Sequence, residues 1–163
     1  MNMRNDGEYM AGFLEQVEVI QKIRLQGQFR LGLARVQQML RAAQGLSYSQ
    51  RAYLYKQNAI FLHDLGEEEK AAAAFWESVC KSAVLTEQQE DYSNYLLLSH
   101  YLETLSDEES AQRHFGYQQL YQDTCRWEYV PNVRKKLRIG YLSPDFRQHI
   151  VADFAWPFFF QYD

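Results

Sequence analysis

Residues 66–75, Gly66-Glu67-Glu68-Glu69-Lys70-Ala71-Ala72-Ala73-Ala74-Phe75, decide how the chain folds. A glycine suited to ending one helix is followed by acid at the start of the next, where carboxylates meet the positive end of the backbone dipole. The four alanines are the best helix formers and carry little bulk, so a neighbouring helix can approach closely. Phe75, one turn beyond Ala71, fills the groove beside that approach. The same order recurs on both sides. Gly27, Gly66 and Ser106 lie 39 and 40 residues apart; five residues after each stand the small Gly32, Ala71 and Ala111, and four further on the apolar Val36, Phe75 and Phe115. Paired helices repeating at this period predict a mainly α protein, an α-solenoid of three helical hairpins whose core is supplied by stacking.

The helices themselves follow from periodicity. Phe13, Leu14, Val17, Ile20, Ile23 and Leu25 recur at spacings of three and four, predicting a first helix from about Gly12 that Gly27 breaks. A second is predicted over 28–43, ending at Gly45, and a third over 50–65 with Ser47 and Ser49 as candidate caps. The fourth opens at Glu67. Thr86-Glu87-Gln88-Gln89 reads as a capping box for a fifth helix to about Leu105, and Ser106-Asp107-Glu108-Glu109 as one for a sixth to about Cys125. The expected organisation is a flexible leader over 1–11, a helical-repeat domain over 12–125, a linker over 126–136 and a separate segment over 137–163. The Gly, Ala, Phe order after the turn resembles tetratricopeptide repeats, at a spacing longer than the roughly 34 residues of that family. HEAT-like and other helical-hairpin arrays fit the same pattern.

A chain of 163 residues allows one domain, or one with part of another. Its 47% hydrophobic content supplies a core, while a net charge of −4 gives no general attraction to nucleic acid or an anionic membrane. Arg134-Lys135-Lys136 with Arg138 is the one basic cluster, and it reads as solvated linker. Cys80 and Cys125 form neither a metal-site spacing nor a disulfide framework, and the polar Met1–Glu8 stretch is unlike a signal peptide, so a cytoplasmic location is expected. The apolar run Ile150–Phe160 is too short to span a bilayer and is interrupted by Asp153 and Pro157. His63, His100 and His114 fall on separate predicted helices with no i, i+4 pair, so no metal site is expected. Tyr48, Tyr53, Tyr55, Tyr92, Tyr95, Tyr101, Tyr117 and Tyr121 are many for a small solenoid. They read as core and groove-lining residues; with Asn58 and Asn94, a concave surface bearing them could also hold an extended peptide.

The chain changes character after Cys125. Trp127, Tyr129, Val130 and Pro131 make an irregular linker, and the β-prone run Leu137–Leu142 then predicts a strand. Ser143-Pro144-Asp145 ends that run, His149 sits in the turn, and an aromatic segment opens a helix from about Ile150. In open α/β sheets the loop at the carboxyl end of a strand is where ligands bind. One strand makes no sheet, so 137–163 reads as a first strand, loop and helix to be completed by residues outside this sequence.

Arg138-Ile-Gly-Tyr-Leu-Ser-Pro-Asp-Phe-Arg-Gln-His149, placed after helical repeats, resembles the opening of the catalytic region of the O-GlcNAc transferase family. The resemblance implies that 137–163 is the first strand, loop and helix of an incomplete Rossmann-like lobe of an inverting glycosyltransferase that moves N-acetylglucosamine, or a related sugar, from a UDP-sugar to Ser or Thr hydroxyls of a protein or peptide acceptor. It implies no metal and no cofactor in this chain, UDP-GlcNAc being the donor substrate. By position His149 corresponds to the family's His near donor and acceptor, either as general base or as a substrate-positioning residue. An imidazole suits proton transfer near neutrality; equally, His149 could cap the helix that follows or bond to Asp145. The 163 residues contain no Gly-rich phosphate loop, nucleophile elbow or metal motif. In the family the lobe that holds UDP would lie beyond Asp163, so these residues alone are expected to be an inactive scaffold. The other reading is a free-standing helical-repeat adaptor for a peptide or protein partner. The aromatic end, with Phe154, Trp156, Phe158, Phe159 and Phe160, is expected to pack on the repeats, to self-associate or to be disordered.

Overall fold

The structure, a computed structural model, describes residues 3–42, 45–121 and 140–160. Its helices are α1 (Met3–Leu25), α2 (Phe29–Arg41), α3 (Tyr48–Asp64), α4 (Glu68–Lys81), α5 (Leu85–Ser99), α6 (Asp107–Gln118) and α7 (Ile150–Phe160). The chain divides into two compact units, Met1–Thr124 and Cys125–Asp163. In the first, each helix packs on the next along the chain, from α1 on α2 to α5 on α6. The predicted mainly α array of three hairpins is what these six helices form.

The repeat has a structural counterpart at its breaks. Gly27 and Gly66 both take the left-handed backbone conformation, with φ of 70° and 76°. The residue after each glycine donates its N–H back into the preceding helix, Gln28 to the Ile23 carbonyl at 3.1 Å and Glu67 to the Leu62 carbonyl at 2.9 Å. These six-to-one bonds satisfy carbonyls that a helix end otherwise leaves open, and they fix the reversal between helices. At the third break Ser106 does a different job. Its side chain accepts from the Glu109 N–H while the Glu109 carboxylate accepts from the Ser106 N–H, closing the predicted capping box. Ser47 and Gln50 close another at the start of α3.

The small-then-large pattern packs as its residue types require. Ile20, Val36, Leu54 and Phe61 join α1, α2 and α3, and a Cβ at Gly32 would lie only 2.3 Å from the Phe61 ring. Ala59, Leu62, Ala71, Ala72, Ala74, Phe75 and Leu98 join α3, α4 and α5. Each fully buried large apolar side chain contributes about 1.5–3 kcal/mol relative to its exposed state. In the third instance the pattern does not bury: Phe115 is 71% exposed, against 5% for Phe75 and 0% for Val36. α6 is held through Tyr117 and Leu120, which pack on Val79, Tyr92 and Leu96, so its Ala111–Phe115 face is left open.

Several expectations need correction. α1 begins at Met3, so the predicted leader over 1–11 is helical from there; the helix contains no proline, and Gly7 and Gly12 are carried inside it. Thr86 caps no helix. α5 starts one residue before it, at Leu85, with Val84 as N-cap, and the Ser82 hydroxyl instead holds the turn through Glu87 Oε2 at 2.9 Å and the Val84 N–H at 3.2 Å. α5 also ends at Ser99 and α6 at Gln118, short of the predicted Leu105 and Cys125. The predicted strand Leu137–Leu142 is not supported: no strand occurs among the described residues, and Gly140–Leu142 is irregular, with Leu142 wholly exposed. A strand is held by its ladder partner, and none of the described residues offers one. Residues 137–139, the linker over 126–136, the basic cluster and Cys125 lie outside the described residues. No described helix is long and apolar enough to cross a membrane.

Candidate functional site

In the unit Cys125–Asp163, the Ser143 hydroxyl accepts the Asp145 N–H at 3.1 Å, turning the chain at Pro144. His149 then sits immediately before α7. Its carbonyl accepts from the Ala152 N–H at 2.9 Å and the Asp153 N–H at 3.3 Å, and its ring Nδ1 lies 3.2 Å from the Val151 nitrogen. A backbone N–H can only donate, so Nδ1 is the acceptor and the proton of the neutral ring resides on Nε2. The ring is exposed. Thus His149 caps the helix with one nitrogen and presents an N–H donor to solvent with the other.

The loop and α7 are joined by aromatic contacts. Tyr141 meets Phe159 at 4.8 Å and Phe158 at 5.9 Å between ring centroids, and Phe146 meets Phe159 at 5.4 Å. Beside them lies a cavity of about 600 Å³ lined by Phe146, Arg147, Asp153, Trp156 and Phe159 among others. The lining is apolar with one residue of each charge, a composition common to ligand pockets. Phe154 on the same helix is 79% exposed, so the aromatic segment is ordered as helix with much of its apolar surface open.

The repeats carry a second concavity, a groove of about 370 Å³ bordered by Glu69, Trp76, Tyr95, Leu105, Glu109 and Arg113. Trp76 meets Tyr95 at a tilt and Tyr92 edge-on, with centroids at 5.2 and 5.5 Å. The Arg113 guanidinium lies 5.2 Å over the Tyr95 ring and donates to Ser99 Oγ at 3.1 Å. Tyr92 is buried and donates to the Arg113 carbonyl at 2.9 Å. The hydroxyls of Tyr117 and Tyr121 share a hydrogen bond of 2.8 Å, which together with burial pushes the Tyr117 phenol up to about 12. Of the other tyrosines, Tyr48 and Tyr101 are exposed, and Asn58 and Asn94 are half-buried.

A buried polar cluster joins α3, α4 and α5. Ser78 Oγ lies 2.8 Å from the Ala52 carbonyl and 2.5 Å from Asp91 Oδ2, and Lys56 Nζ lies 3.1 Å from Asp91 Oδ1 and 2.8 Å from Glu90 Oε2. Burial pushes the Asp91 carboxyl up despite the hydrogen bonds from Ser78 and Lys56, which pull it down. Desolvation opposes the charge on Lys56, but its hydrogen bonds to Glu90 and Asp91 outweigh it and raise the ammonium.

The histidines are partly brought together. His63 Nδ1 pairs with Glu68 Oε2 at 2.8 Å, whereas the tilted rings of His100 and His114 meet with centroids 5.1 Å apart, a proximity their sequence separation hid. No group of three His, Cys, Asp or Glu residues able to hold a metal occurs among the described residues. Sequence reasoning assigned neither Ser78 nor Asp91 to a site; an acid in the buried stripe of α5, one residue before Tyr92 and seven before Leu98, was the available signal. No protein-family model, curated protein or solved structure matches the chain.

Proposed function

We propose that the chain belongs to an inverting glycosyltransferase of the O-GlcNAc transferase type. Its six-helix array is the part that holds the protein acceptor, and residues 137–163 open the catalytic region that takes UDP-GlcNAc or a related UDP-sugar. The observation that carries this reading is the order of parts: helical hairpins, then Arg138-Ile-Gly-Tyr-Leu-Ser-Pro-Asp-Phe-Arg-Gln-His149, with His149 at the amino terminus of a helix. A helix start with a ring N–H beside it offers hydrogen-bond donors to a diphosphate or a sugar hydroxyl without a metal. In the tautomer that Val151 imposes, neutral His149 donates from Nε2 and has no free lone pair, so its proposed role is substrate positioning rather than general base. The 163-residue chain by itself is proposed to be a protein-binding scaffold without turnover.

The test is transfer of labelled GlcNAc from UDP-GlcNAc to protein by the natural gene product, with His149→Ala and His149→Gln alongside the wild type. A positioning donor predicts that Gln, which retains an N–H donor, keeps much more activity than Ala and leaves the pH profile of kcat unchanged. Equal loss in both variants would refute the donor role, and no transfer by the wild type would refute the family reading. One observation favours a second reading. The groove at Trp76, Tyr95 and Arg113 combines aromatic faces with charge, as peptide-holding surfaces do, and it would serve a helical-repeat adaptor equally well. A gene product that captures peptides through this groove but transfers no sugar would be such an adaptor.

A further inference from the structure

The Ser78 hydroxyl carries one hydrogen, yet two oxygens sit within hydrogen-bond distance of it. The Ala52 carbonyl at 2.8 Å can only accept. If the Ser78 hydrogen points there, the 2.5 Å contact with Asp91 Oδ2 needs a hydrogen of its own, and only the carboxyl can supply it. If the hydrogen points instead to Asp91, two oxygen atoms face each other at 2.8 Å across Ser78 and Ala52 with nothing between them. One arrangement leaves no repulsive contact: a protonated Asp91 donating to Ser78, and Ser78 donating to Ala52.

Charge leads to the same arrangement. From α3, Lys56 and the Tyr53 phenol face the cluster; from α4 the Ser78 hydroxyl reaches it; from α5 itself come Glu87 and Glu90. Glu87 is engaged by the Ser82 hydroxyl at 2.9 Å. Lys56 has its closer partner in the exposed Glu90, at 2.8 Å, against 3.1 Å to Asp91. With Asp91 neutral, Lys56 and Glu90 balance; with Asp91 ionised, an extra negative charge is placed on a residue only 2% exposed. Burial acts on the carboxyl in the same direction. A cavity of about 130 Å³, lined by Lys56, Gln57, Glu87 and Asp91 among others, lies beside the carboxyl.

We infer that Asp91 is held as the neutral acid in the folded array, and that the α3–α4–α5 junction is a proton-operated latch. On deprotonation the proton passes from Oδ2 to water, the Ser78 O–H turns from the Ala52 carbonyl to the new carboxylate, and the bond tying α4 to α3 is given up. A carboxyl whose folded pKa lies above its unfolded value destabilises the fold as pH rises from the unfolded pKa through the folded one. The latch is therefore closed on the acid side and loosened on the alkaline side.

The test compares thermal unfolding of the wild type and Asp91→Asn from pH 4 to pH 8. The amide reproduces the neutral acid, donating to Ser78 from Nδ2 and accepting from Lys56 at Oδ1. The expected result is that the variant's Tm, measured relative to the wild type, climbs with pH and at pH 8 equals or exceeds it. A variant that falls progressively below the wild type as pH rises would show an ionised Asp91 paired with Lys56, and would overturn the inference. If the variant does not fold, carbon-13 titration of the wild-type aspartate Cγ resonances serves instead. One Asp titrating well above the ordinary carboxyl range supports the latch, and all of them titrating within it overturns it.

Discussion

Gly32→Ala adds a single methyl group at the crossing of α2 and α3, and its effect sets two terms of opposite sign against each other. Replacing glycine by alanine inside a helix is worth about 1 kcal/mol of stabilisation from backbone propensity. The new Cβ, however, would stand 2.3 Å from Phe61 Cζ and 2.4 Å from Cε1, more than 1 Å inside ordinary contact. Phe61 is fully buried in the cluster with Ile20, Val36 and Leu54, so its ring has no solvent to swing into and the helices must part. Overpacking of this kind costs typically 1–3 kcal/mol, and a displacement this large belongs at the upper end. The net expectation is destabilisation by about 2 kcal/mol, read as a lower midpoint in urea at unchanged slope. Gly12→Ala is the control: nothing lies within 4 Å of its Cβ, so the same substitution should stabilise by up to about 1 kcal/mol. Phe61→Leu combined with Gly32→Ala should recover part of the loss, since the pair share one contact. A Gly32→Ala protein as stable as the wild type would refute the close crossing, and with it the physical basis of the repeat.

Two further comparisons rest on the same geometry. Phe75→Ala should cost about 3–5 kcal/mol and Phe115→Ala less than about 1, because the equivalent positions are 5% and 71% exposed; similar losses would mean that the third hairpin's face is covered. Ser106→Ala should cost about 1 kcal/mol by removing the acceptor for the Glu109 N–H, while Thr86→Ala should change stability negligibly; the reverse order in calorimetry would contradict the observed helix starts.

The helical array was legible because its signals are local. Gly27 and Gly66 each end a helix in a conformation that costs glycine least, and Ser106 with Glu109 closes its box within four residues. The register of small and large residues at Gly32 and Val36, and at Ala71 and Phe75, follows from the same spacing. Thr86 misled because a capping box needs only four residues to be written but a particular turn to be used, and Ser82 took that turn. Leu137–Leu142 misled for a different reason: β-propensity describes how a segment behaves beside a partner strand, and no single segment specifies the partner. The Ser78–Asp91–Lys56 cluster and the His100–His114 contact depend on which helix faces lie opposite, which three- and four-residue periodicity does not encode. Capping of α7 by His149 was one reading its position allowed, and the 3.2 Å bond from Val151 forms that cap.

The most direct test of the functional account is whether the natural gene product, incubated with UDP-GlcNAc and a cell extract, attaches the sugar to protein. The account predicts labelled Ser or Thr residues whose sugar is released by a β-hexosaminidase, as inversion of the α-linked donor requires. No incorporation by the purified, folded gene product, over a range of acceptor proteins and alternative UDP-sugars, would contradict it.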